Sequence, residues 1–439
     1  MGLRAFIPRS GFLHNVWLLT SGTVFAQGLV ILALPVLTRL YSPQDFDLLA
    51  VYVALIGLIS VVSCLRYNIA IPLPEQDEDA MALLALSLLA GCAFSLILVL
   101  PVVFAPEATA ALLGQMDLAP HLWLVPFGIA LASSYNALQY WASRKKRFGI
   151  ITKTRMTRAV GGVGTQLAFG LTTPIPFGLL LGHALYSGLG VIGLGRNVMR
   201  DDHKTIGALD WERMRRVAGQ YRRFPFYSVP QTLFDTGGTQ LPIIIIAAAT
   251  AGPEAGFLML AMRVMGLPMG LIGSSVAQVY LAEAPEKLRD GSLPAFTRRT
   301  MWTLFRTGAP PLAVAGALSP MLFPIVFGAE WARAGWLVAW MTPWFILQFV
   351  VSPVSMVLNV TGRLGLLLAI ALGGLLLRVA VVLWAIVAHL DIASEIYAVS
   401  GALFYAIYLS AILWTLNKTC AADDDASTSA KNQTSGNGL

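Results

Sequence analysis

Four charged side chains stand where apolar sequence would bury them. Arg263 lies in Leu260-Ala-Met-Arg-Val-Met-Gly-Leu-Pro268, and Arg378 is in the middle of the apolar run 364–388. Asp235 falls early in the run 227–248, and Arg66 closes the run 46–65. An ionised group at the centre of a bilayer costs on the order of 2.5–3.5 kcal/mol to insert, so it usually faces a cavity and serves a function. Two arginines and one aspartate leave a net positive interior. A guanidinium meets phosphate oxygens through a planar two-donor fork. The chemistry expected is reversible binding of a phosphate-bearing anion, with Arg263, Arg378 and Arg66 as the substrate-binding cations and Asp235 for charge balance or coupling. Structural readings stand beside this one. Asp235 can clamp Arg263 across neighbouring helices, and a boundary arginine such as Arg66 or Arg306 can snorkel to the headgroups.

Bond-breaking chemistry finds no support. A nucleotide-hydrolysing loop needs Gly-Lys followed by Ser or Thr, and no Gly-Lys pair occurs. Gly188-Leu-Gly190-Val-Ile-Gly193 formally matches the dinucleotide pattern, but it sits in an apolar run with no preceding strand. It reads as a small-residue packing face, as do Gly178 and Gly182. The five histidines are scattered without metal-ligand spacing. No catalytic residue, metal, cofactor or nucleic-acid partner is therefore expected. Of the three cysteines, Cys64 and Cys92 fall in apolar runs and Cys420 in the polar tail, so no disulfide framework is expected.

The elements that must carry these charges follow from composition. Of 439 residues, 56% are hydrophobic and 12% charged, with mean hydropathy +0.70. Soluble domains carry about 25% charged residues, so this chain has too little polar surface to cover its apolar bulk in water. A span needs roughly 20 apolar residues. The runs 16–37, 46–65, 81–104, 122–141, 160–173 (short, and expected to extend N-terminally) and 177–198 qualify in the first half. The runs 227–248, 256–282, 304–327, 336–360, 364–388 and 396–416 qualify in the second. The expectation is an all-α polytopic membrane protein of about twelve transmembrane helices, in two six-helix lobes around a central cavity.

Orientation follows from lysine and arginine in the short loops. With the N-terminus cytoplasmic, all but four of the 30 basic residues fall on the cytoplasmic side, Arg4 and Arg9 included. The exceptions are Arg39 and Arg333 outside, and Arg263 and Arg378 within spans. Both termini are thus expected in the cytoplasm, and no cleavable leader is expected.

The lobes are placed at 1–198 and 227–416, joined by a linker at 199–226. Within the linker, Trp211, Met214, Val217, Ala218 and Tyr221 recur at helical spacing. This predicts an amphipathic helix lying on anionic headgroups, with a plain positive-inside linker as the alternative. The tail 417–439 is polar and low in aromatics, and is expected to be disordered. Tyr41-Ser-Pro-Gln-Asp-Phe46 and Thr250-Ala-Gly-Pro-Glu-Ala-Gly256 both place proline and then an acidic residue ahead of a span, at corresponding points of the two halves. They hint at an internal repeat. Prolines 230, 242, 268, 310, 311, 343 and 353 give the second half several sites able to kink.

Several motifs carry a family resemblance. Ser21-Gly-Thr-Val-Phe-Ala-Gln27, Leu37-Thr-Arg-Leu-Tyr-Ser-Pro-Gln-Asp-Phe46 and Leu65-Arg-Tyr-Asn-Ile-Ala-Ile-Pro-Leu-Pro74 resemble the N-terminal signature of bacterial O-antigen and exopolysaccharide flippases. Ala261-Met-Arg-Val-Met-Gly-Leu-Pro268, Phe327-Gly-Ala-Glu-Trp-Ala-Arg-Ala-Gly335 and Val357-Leu-Asn-Val-Thr-Gly-Arg363 extend the likeness to nearly the whole chain. Asp47 stands where a small residue is expected, and Asn68 where an acidic one is common. These flippases belong to the multidrug/oligosaccharidyl-lipid/polysaccharide exporter superfamily. The resemblance implies movement of an undecaprenyl-pyrophosphate-linked oligosaccharide from the cytoplasmic to the periplasmic leaflet of the inner membrane. It implies partners in the lipid bilayer and in the polysaccharide polymerase and chain-length machinery. It gives Arg263 the pyrophosphate and Asp235 a part in resetting the empty carrier. Carrying negative charge outward is downhill in the membrane potential, by about 2.3 kcal/mol per charge per 100 mV.

Rival functions remain at this point. A drug exporter of the same superfamily would favour acidic cavity residues for cationic drugs. A lipid II flippase fits the same mechanism. A polysaccharide polymerase or ligase would carry a large outer loop with catalytic residues, and this chain has none.

Overall fold

Ser42 and Asp45 cap each other at the start of the second long helix. The Asp45 N–H donates to Ser42 Oγ at 3.2 Å and the Ser42 N–H to Asp45 Oδ2 at 2.9 Å, with Pro43 in the first turn. This capping box satisfies donors that a helix start otherwise leaves orphaned. It turns the chain within two residues of Leu40, where the first helix, Phe12–Leu40, ends. Helices joined by turns continue along the chain, and the computed structural model has no strand among its described residues. It describes residues 12–250 and 252–436. Arg4 and Arg9, which helped to set the orientation, lie outside the described residues.

Nine helices among the described residues are long and apolar enough to cross a membrane. They match nine of the predicted runs. The other three runs fall on Leu124–Arg144, Phe148–Thr172 and the segment from Glu254 to Arg289. The first carries Ser133, Asn136 and Gln139, and the second Lys153, Arg155 and Arg158. The third carries Arg263 and is interrupted by a π-helical stretch, Met269–Gly273, directly after Pro268. In the first two, length is met and apolarity is not.

The chain forms two compact units. The first extends to Met259 and takes in Ile325–Trp331; the second comprises Leu260–Pro324 and the residues from Ala332 on. The first unit thus runs past the 199–226 linker, because helix Val229–Ala249 packs along Pro43–Ser63. Within it, Phe12–Leu40 lies against Phe148–Thr172, which lies in turn against Pro176–Gly188. Close approach rests on small residues: a Cβ at Gly182 would stand 2.7 Å from the Gly162 carbonyl oxygen.

Below these helices lies a core of Tyr67, Ile71, Met81, Trp141, Ile151 and Val217. Arg144 caps the turn 71–75, donating to the carbonyls of Pro74 at 2.6 Å and Glu75 at 3.1 Å and to Asp77 at 3.0 Å. The linker helix forms as Trp211–Gln220, capped by Asp210. Its apolar face is not laid on headgroups, however. Met214 and Val217 are buried in the protein core, and Arg216 donates to Asp79 at 3.1 Å. Only Trp211, 71% exposed, is left for the lipid surface.

In the second unit, Ala332–Val354 and Leu364–Val387 both pack on the last helix, Ala393–Gly436. That helix carries the backbone through most of the tail expected to be disordered; residues 437–439 lie outside the described residues. Extending an existing helix adds hydrogen bonds without paying for a new nucleus.

Candidate functional site

Arg66 is held by an unusual backbone. Leu65 and Arg66 both have positive φ, 49° and 59°. This is a left-handed pair of non-glycine residues that costs energy and occurs where surroundings enforce it. The kink ends the Pro43–Ser63 helix and turns Arg66 Nε onto Ser228 Oγ at 3.4 Å. Burial draws the Arg66 guanidinium below its ordinary pKa. Ser228 closes the π-helical stretch Phe224–Ser228, and Asp235 stands two turns further along the following helix. The structure therefore brings Arg66 to the base of the helix that carries Asp235. Asp235 itself is largely exposed.

Arg263 and Arg378 belong to the second unit. Arg263 is half-buried in Glu254–Pro268, nearly two turns before the π-helical stretch. Arg378 is only 3% exposed and sits over three aromatic rings: Phe404 at 4.5 Å, Trp344 at 4.9 Å and Tyr405 at 5.9 Å. Such cation–π contacts hold a guanidinium in apolar surroundings. In this conformation Arg378 faces a protein wall rather than an open cavity.

Sequence reasoning passed over Arg158. The charge count placed it in a cytoplasmic loop, because the run 160–173 begins after it. The helix actually starts at Phe148, and Arg158 stacks on Tyr135 at 3.8 Å and Tyr186 at 5.3 Å. The signal was available: cations at positions 153, 155 and 158, with only Thr154, Met156 and Thr157 between them, fit a helix as well as a loop.

A second arrangement that sequence reasoning missed is a junction in the first unit. Asp47, 5% exposed, accepts from Gln115 Nε2 at 2.6 Å and from the Gly256 N–H at 3.0 Å. Gln115 also donates to the Ala247 carbonyl at 3.3 Å. Trp331 donates to the Thr38 carbonyl at 3.0 Å, and its ring meets Phe46 edge-on at 4.8 Å and Phe257 at 5.8 Å. Arg39 donates to the Ile325 carbonyl at 3.3 Å. The two turns read as a repeat are thus in direct contact: a Cβ on Gly256 would stand 2.6 Å from the Pro43 carbonyl oxygen. Asp47, an acidic residue where a small one was expected, is the polar centre of the junction.

The comparisons agree with the fold and the motifs. Residues 36–335 match the family model described as "Polysaccharide biosynthesis protein". A search of curated proteins finds no match. Among solved structures, the chain is similar to the lipid II flippase MurJ in an inward closed conformation. The TM-score is 0.68 at 15% identity, over 92% of this chain and 90% of that one. It is also similar to the Vibrio cholerae MATE transporter VcmN, with TM-score 0.54 at 11% identity over 92% and 96%. An inward-facing multidrug resistance MATE transporter of the MOP superfamily gives 0.53 at 11% identity over 93% and 96%. These likenesses show a shared fold, and the motifs that carried the flippase resemblance lie largely within the matched range. The chain is an integral membrane protein that belongs to the polysaccharide biosynthesis protein family.

Proposed function

We propose that the protein is a flippase for an undecaprenyl-pyrophosphate-linked oligosaccharide, an O-antigen or exopolysaccharide repeat unit. It carries this cargo from the cytoplasmic to the periplasmic leaflet of the bacterial inner membrane by alternating access. What supports the reading is the polysaccharide-biosynthesis family match over residues 36–335, together with a buried Arg378 on a helix long and apolar enough to cross a membrane. Twelve spans in two six-helix lobes, with both termini cytoplasmic, complete the picture. Arg263 and Arg66 take the pyrophosphate through bidentate contacts, Arg378 adds positive potential from within its aromatic cage, and Asp235 resets the empty carrier. The released cargo passes to the polymerase and chain-length machinery.

The alternative of another lipid-linked precursor, or a drug, is tested alongside. In a host whose surface polysaccharide depends on this gene, Arg263→Ala is expected to abolish the polysaccharide at normal protein abundance. Neither Arg263→Lys nor Arg263→Gln should restore it. Normal polysaccharide from Arg263→Ala would move the anion site to Arg66 and Arg378. Complementation of a drug-export or lipid II defect instead would overturn the cargo assignment.

A further inference from the structure

The Gly190–Gly193 motif, set aside as packing, floors a cavity of about 330 Å³ between helices Phe148–Thr172 and Val191–Asp201. Lys153, Arg196 and Arg200 line it from the two helices. Lys153 and Arg196 make no ion pair among the described residues, and Arg200 shares Asp201 at 3.7 Å. Asn197 is turned aside to Arg147 and Asp201. Glycine is what leaves the space open. A Cβ on Gly193 would already lie 3.3 Å from Thr154 Cγ2, and one on Gly190 would lie 2.5 Å from the Tyr135 ring. Ile150 and Leu189 share the lining. Along the outer face of Val191–Asp201, Ile192 and Met199 are 56% and 73% exposed. One and two turns from Ile192 on that face stand Arg196 and Arg200.

We propose that this pocket binds the phosphate diester of an anionic phospholipid, with its acyl chains running along the exposed apolar residues. The chemistry is that of an amphiphile. Two uncompensated cations over a small-residue floor accept a phosphate, and the apolar half of the lining suits a tail that a free anion does not have. Basic pockets between transmembrane helices hold anionic headgroups in this way. The site lies wholly within the first unit and is separate from the flippase cargo, so it stands or falls independently of the transport reading.

The test uses the full-length protein, purified in neutral detergent and stripped of lipid, then titrated with phosphatidylglycerol or phosphatidylcholine. Bound lipids are counted by native mass spectrometry, and inorganic phosphate is titrated in a parallel arm. Wild type should retain one phosphatidylglycerol more than Lys153→Gln/Arg196→Gln. The double variant should bind it about tenfold more weakly or worse, at roughly 1 kcal/mol per basic group. Lys204→Gln/Arg215→Gln, which removes the same charge from exposed positions elsewhere, should match wild type. Gly193→Leu, with every charge intact, should weaken binding by filling the floor. Equal loss in both double variants would overturn the proposal in favour of general surface attraction. So would equal binding of phosphatidylcholine, no loss in the site variants, or displacement of the lipid by inorganic phosphate at matched concentration. Unchanged melting temperatures without lipid confirm that the variants are folded.

Discussion

At the residue scale, two arginines share one environment. Arg158 lies on Tyr135 and Tyr186, and Arg378 on Trp344, Phe404 and Tyr405. A guanidinium stacks where an ammonium cannot, so lysine is a poor substitute at either position. Arg378→Lys should cost about 1–2 kcal/mol of stability through the lost ring contacts, read as a lower Tm of the purified protein. Arg158→Lys should cost more than that, because Arg158 Nε also donates to the Tyr186 carbonyl at 2.5 Å. Lysine variants as stable as wild type would show that the cages are incidental. Arg378 was legible in the sequence because every neighbour in its run is apolar. Arg158 was not, because Lys153 and Arg155 precede it within five residues, and a charge count cannot tell a helix from a loop.

At the scale of elements, the junction around Asp47 shows what turn chemistry can and cannot reveal. The Pro-acidic turns were legible as helix starts, and Ser42 with Asp45 forms the capping box that their spacing implies. Their mutual contact was not legible, since it joins residues some 209 positions apart. Gly256 is the place to test it. A methyl group there meets the backbone of Pro43 and Asp47 at 2.6 and 2.8 Å, with no flexible side chain to give way. Gly256→Ala should therefore lower Tm by several degrees. Gly266→Ala, with open space around its Cβ position, should be neutral or slightly stabilising, by up to about 1 kcal/mol. Equal behaviour of the two variants would mean that the turns do not pack as described. The linker helix teaches a related lesson. Its period predicted the apolar face at 214 and 217 correctly, but periodicity says nothing of whether lipid or protein covers that face, and here protein does.

At the scale of the whole molecule, nine spans were legible because long apolar runs have few alternatives in a membrane chain. Two were harder to read because polar groups sit on them, and a third because a π-helical stretch interrupts it. The repeat is deeper than the turns suggested. In the first unit an arginine of helix Phe148–Thr172, just ahead of the predicted fifth run, is caged by aromatics of the fourth and sixth runs; in the second an arginine of the eleventh run is caged by those of the tenth and twelfth. The proposed anion site was legible only as a list of charges, since depth, backbone kink and aromatic cover are properties of the fold.

The short segment Ile325–Trp331 belongs to the first unit although it is reached only after 65 residues of the second. During synthesis, then, the ends of the first helices wait for a tryptophan that leaves the ribosome almost 300 residues after Thr38. Until Trp331 arrives, Phe46, Phe257 and the Thr38 carbonyl lack their partner. The first unit therefore finishes its structure late, and a chain stopped short of this segment is left with an unsealed, chaperone-dependent first unit rather than a finished half.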